Sequence, residues 1–68
     1  MSEKKLRLKK LVEHWMEHNE DHVKRFREAA HEAKELGLNQ VELQLYNAAE
    51  NGDKVSKSLL KALEAFEQ

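Results

Sequence analysis

Lys34-Glu35-Leu36-Gly37-Leu38-Asn39-Gln40-Val41-Glu42 is the stretch that decides the fold of this 68-residue chain. Glycine readily takes the left-handed conformation that closes a helix, and Lys34 in the preceding turn complements the negative end of a helix dipole. Asn39 followed three residues later by Glu42 has the spacing of a capping box that opens the next helix. The stretch therefore predicts a tight helix–helix turn at residues 37–38, with helices over about 3–36 and 39–67.

N-terminal to the turn, Val12, Met16, Asn19, Val23, Phe26, Ala30 and Ala33 recur at alternating steps of four and three, a heptad seam. A second row, Leu8, Trp15, His22, Ala29 and Leu36, runs beside it at steps of seven. After the turn the apolar phase passes through Leu38, Val41, Leu45, Ala48, Gly52, Val55, Leu59, Ala62 and Phe66. Asn51-Gly52 is ordinarily a turn signal. Because the phase crosses it without slipping, the expectation is one continuous second helix with glycine on its buried side. An interior glycine costs only about 1 kcal/mol against alanine.

Folding the chain back at Gly37-Leu38 pairs residues whose numbers sum to roughly 75, since both helices advance 1.5 Å per residue. Asn19 then faces Ser56, a polar pair of the kind that fixes register, and Val23 and His22 fall near Gly52 and Asp53. Trp15 falls near Leu59 and Leu60, and Leu8 near Phe66. Two helices cannot enclose their own apolar stripes, and Leu11, Leu36, Leu43, Tyr46 and Leu60 lie outside the narrow seams. The predicted fold is all-α: a single domain over residues 1–68, an antiparallel two-helix hairpin that dimerises into a four-helix bundle.

Composition agrees with that architecture. The chain has 40% hydrophobic and 37% charged residues, no proline and no cysteine. Disulfides and thiolate metal sites are thereby excluded, and a domain this small needs a second subunit, a metal or very regular packing. A formal net charge of −1 gives no overall field toward nucleic acid or an anionic membrane. The basic run Lys4, Lys5, Arg7, Lys9, Lys10 has no interleaved aromatic residue and reads as a solvated helix start. No apolar run has the length of a membrane span and no signal-peptide core follows Met1, so a cytoplasmic protein is expected. No nucleophile elbow, phosphate loop or paired acid–base constellation is present, and an enzyme is not expected.

One cluster carries chemistry. In Glu13-His-Trp-Met-Glu-His-Asn-Glu-Asp-His22, the histidines His14, His18 and His22 stand four residues apart. Side chains at that spacing stack on one helix ridge, and two neutral imidazoles there can converge on one nickel or zinc ion. The outer two are separated by two turns, about 11 Å, so one ion takes only a neighbouring pair. A third ligand would come from Glu17 or Asp21 on the same helix, from Asp53 across the hairpin, or from a second subunit. The competing reading makes His14 and His18 solvated edge residues and His22 a core histidine hydrogen-bonded beside Asp53. His31 stands apart on the polar face.

The pattern His14-Trp15-x-x-His18-Asn19-x-x-His22, followed by Phe26 and the Gly37-Leu38 turn, resembles a short helical domain of prokaryotes, including methanogenic archaea. That domain occurs alone or behind a small nickel-binding domain of the CooT type. The resemblance covers about half the chain and implies a link to nickel or another metal by association. Two function classes are expected from these readings: a non-enzymatic self-association or protein-interaction module, and a transition-metal-binding protein that uses the histidine ladder.

Overall fold

The computed structural model describes residues 2–67 and consists of two helices, α1 (Glu3–Glu35) and α2 (Asn39–Ala65), packed against each other as an antiparallel hairpin. α1 begins at Ser2, whose hydroxyl accepts from the Lys5 amide at 3.1 Å and satisfies one of the free N–H groups of the first turn. It ends in a Schellman turn: Leu38 N–H donates to Ala33 O at 2.9 Å and Gly37 N–H to Lys34 O at 3.1 Å. Gly37 supplies the positive φ, 74°, that this turn requires, and no other described residue has one.

The expected capping box does not form. Leu38 takes the N-cap position of α2 with no side-chain cap, and Asn39 is already the first helical residue. The Schellman bonds explain this, because they carry the chain into the second helix one residue earlier. Glu42 remains in the first turn, where its charge favours the positive helix end.

α2 runs unbroken through Asn51-Gly52, as the apolar phase requires. Gly52 is buried because α1 lies directly over it: a Cβ at this position would overlap Val23 Cγ2 and lie 3.7 Å from Val23 Cβ. Beside this contact Asn19 bridges the two helices. Its Nδ2 donates to Gly52 O at 2.7 Å and to Ser56 Oγ at 2.8 Å. The expected Asn19–Ser56 pair is therefore present, with a backbone carbonyl added to it.

The approach at Gly52 also turns α2 relative to the expected seam. Ala49, Gly52, Ser56 and Leu63 face α1, whereas Val41, Val55 and Ala62 stay exposed on its flank. Among the described residues the buried apolar ones are Val12, Val23, Ala30, Ala33 and Ala49, none larger than valine. A core of small residues lets the helix axes approach closely and leaves larger side chains at the margins. The hairpin is a rod, 52 × 15 × 11 Å, with a radius of gyration of 15.7 Å. A compact chain of this length has about 11 Å.

Candidate functional site

Two grooves run along the sides of the helix–helix contact, and they differ in chemistry. One is lined at mid-length by Trp15, His18, Asn19, His22, Val55 and Leu59. It continues toward the chain ends past Leu8, Val12, Ala62 and Phe66. The other is lined by Met16, Glu20, Asp53, Ser56, Lys57 and Leu60 and continues past Lys24, Arg27 and Glu28. The 3.6-residue period produces this division: on α1, Trp15, His18 and His22 fall to one side of the Val12–Asn19–Val23 contact line, and Met16, Glu20 and Arg27 to the other.

The histidine ladder forms as its spacing predicts. The His14 and His18 ring centroids are 5.8 Å apart, and those of His18 and His22 are 4.6 Å apart. Phe26 extends the row, stacked 6.1 Å from His22. All three histidines are exposed. His22 is thus not a core histidine, because α2 packs to one side of it.

Asp53 does not reach the ladder. It accepts a hydrogen bond from Arg27 and lines the charged groove, on the far side of Gly52 from His22. The expected Asp53–His22 proximity fails because α2 is turned at Gly52 and carries the next residue to the opposite flank. Asp21 is exposed and takes part in no hydrogen bond or ion pair among the described residues. Among those residues no three His, Asp or Glu side chains are grouped to hold a metal ion, so one hairpin offers imidazole pairs only.

Two ion pairs were not legible from the spacing of apolar residues. Arg27–Asp53 closes the charged groove, one helical turn from ideal numerical pairing. At the chain ends Lys9 Nζ donates to Glu67 Oε1 at 2.7 Å. That hydrogen bond and the attraction between the two charges raise the Lys9 ammonium above its ordinary pKa and lower the Glu67 carboxyl below its own. One member of the basic run is therefore engaged with the segment just after α2 and not wholly solvated. His31 makes only an exposed contact with Glu35 one turn away, at 3.2 Å.

Apolar exposure is the other feature of the site. Trp15 is 48% exposed on the histidine side, and Leu8, Leu11 and Val55 are also exposed. No helix among the described residues is long and apolar enough to cross a membrane. Residues 8–66 match a family described as a domain of unknown function, DUF8180. The chain belongs to that family. Its matched span takes in both helices, the turn and the whole histidine ladder. Comparison with curated proteins and with solved structures gives no match.

Proposed function

We propose that this domain is a non-enzymatic self-association module, a hairpin that pairs with a second copy to complete a four-helix bundle. The observation that carries this reading is the disproportion between core and margin. Among the described residues nothing larger than valine is buried, while tryptophan, tyrosine, leucines and valines stand exposed along the rod. Each large apolar side chain taken out of water contributes about 1.5–3 kcal/mol, which two helices alone leave unused. The test is thermal unfolding at protein concentrations spanning two decades, with light scattering on the same samples. A dimer unfolds at a temperature that rises with concentration. A concentration-independent transition and a monomer mass at high micromolar concentration reject the module.

The second reading is transition-metal binding through the ladder. It is favoured by the closeness of the His18 and His22 rings, at 4.6 Å, and by the absence of any hydrogen bond to either imidazole among the described residues. Imidazole pairs suit nickel or zinc, with the remaining ligands supplied by water or a second chain, because no third ligand of the same hairpin is grouped with the pair among the described residues. Calorimetric titration of nickel and zinc into the protein tests it. Absence of both heat and a thermal shift rejects it.

A further inference from the structure

We infer that the histidine-bearing groove is the self-association surface, and that the second copy docks there antiparallel, bringing the two ladders together at mid-length. This inference rests on the self-association reading and specifies its geometry. A globular protein of this mass, 8.0 kDa, has an accessible surface of about 4,450 Å², whereas this hairpin has 5469 Å². The excess, about 1,000 Å², is close to the roughly 800 Å² that each partner gives up in a standard stable interface.

The two sides compete unequally for that interface. The charged groove presents Glu20, Lys24, Arg27, Glu28, Asp53 and Lys57, which lose hydration if covered. The histidine side presents Leu8, Trp15, Val55, Leu59 and Phe66, and its mid-length lining holds imidazole rings and one amide but no carboxylate, ammonium or guanidinium group. Trp15 is the natural anchor, since tryptophan carries more interface energy than any other residue type.

Charge sets the direction. Residues 3–10 of α1 hold five basic residues and one acidic, at the terminal end of the rod. Residues 28–42, around the turn, hold four acidic residues and one basic. Antiparallel docking lays each basic end against an acidic turn, whereas parallel docking sets like charges together. A two-fold axis across the rod then passes near the Asn19–Gly52–Ser56 layer. It brings His18 and His22 of the two copies to the same level.

The protein contains no cysteine, so single cysteines report contacts directly. His18→Cys, Val55→Cys, Leu8→Cys and Lys57→Cys are treated with a short bismaleimide, with helix content checked by circular dichroism. Light scattering of the wild type is run in parallel. The expected result is covalent dimer from His18→Cys and Val55→Cys, at least tenfold faster than from Lys57→Cys. Leu8→Cys alone stays uncoupled, because antiparallel copies hold these residues about 30 Å apart along the rod. Faster coupling of Lys57→Cys in a dimeric wild type moves the seam to the charged groove and overturns the inference while leaving self-association intact. Coupling of Leu8→Cys as fast as His18→Cys overturns the antiparallel direction. A monomeric wild type removes the self-association reading itself.

Discussion

The two flanks of this hairpin come from the same two helices and the same 3.6-residue period, yet they have become different surfaces. On one, Trp15, Val55 and Leu59 surround exposed imidazoles. On the other, Glu20, Lys57 and the Arg27–Asp53 pair surround a single exposed leucine, Leu60. The difference teaches that burial inside the hairpin does not say which side is meant to stay wet. A charged groove is stable when open to water. An apolar groove open to water is the kind of surface that marks contact with another molecule.

The largest expected effect comes from Gly52, which lets the helices meet between the flanks. Helix propensity alone makes Gly52→Ala stabilising by about 1 kcal/mol. The overlap with the β-branched, buried Val23 reverses that sign. Gly52→Val is expected to cost about 3 kcal/mol in urea denaturation, by overpacking that pries the helices apart and blurs both grooves. A Gly52→Ala protein more stable than wild type would show that Val23 gives way freely.

Next is Asn19→Ala, which removes the donor to Gly52 O and Ser56 Oγ. The expected loss is about 1–2 kcal/mol, with both acceptors left partly buried and poorly hydrated. Measured against Ser56→Ala in a double-mutant cycle, the two changes should couple; additivity would mean that the contact contributes nothing.

The histidines sharpen the contrast chemically. If nickel or zinc binds, His18→Ala should abolish binding whichever neighbouring pair is used, whereas Asp53→Asn on the other flank should leave it unchanged. Binding should also weaken as pH falls, because a protonated imidazole has no lone pair left for a metal ion. Calorimetry of the two variants decides this, and equal loss from Asp53→Asn would contradict the separation of the flanks.

The smallest effect belongs to Lys9–Glu67, an exposed ion pair. Because the folded Glu67 pKa is lowered, its contribution is present above the unfolded carboxyl value and is lost as pH falls through the lower folded one. The raised Lys9 pKa acts in the opposite sense: its contribution is present below the unfolded value and is lost as pH rises through the folded one. Protection of the amides at the end of α2 from hydrogen exchange, taken relative to the intrinsic rate at each pH, should therefore be greatest between these limits. Glu67→Gln should lower it slightly at low salt and not at all at high salt.

The turn was legible in sequence because glycine chemistry is local: a positive φ at Gly37 needs no knowledge of the partner helix. Continuity through Gly52 and the Asn19–Ser56 pair were legible because the heptad phase counts residues, and counting survives folding. The rotation of α2 was not legible. It depends on how closely Val23 settles onto Gly52, a matter of two side-chain volumes meeting and not of period. With α2 in this rotation Ala49 is buried, Val55 is exposed and Asp53 meets Arg27. The capping box failed for a similar reason: the Asn39–Glu42 spacing was right, but the Schellman bonds to Leu38 and Gly37 had already fixed where the helix starts.

The comparison between flanks is tested most directly by sedimentation equilibrium of two charge insertions matched in exposure, Trp15→Glu and Leu60→Glu. Both parent side chains are 48% exposed, on opposite sides of the hairpin. Wild type and Leu60→Glu are expected to sediment at twice the monomer mass of 8.0 kDa, whereas Trp15→Glu dissociates at least about 30-fold more readily, the loss of a central aromatic anchor. A Trp15→Glu protein that associates as tightly as wild type, beside a Leu60→Glu protein that falls apart, would contradict this distinction between the flanks.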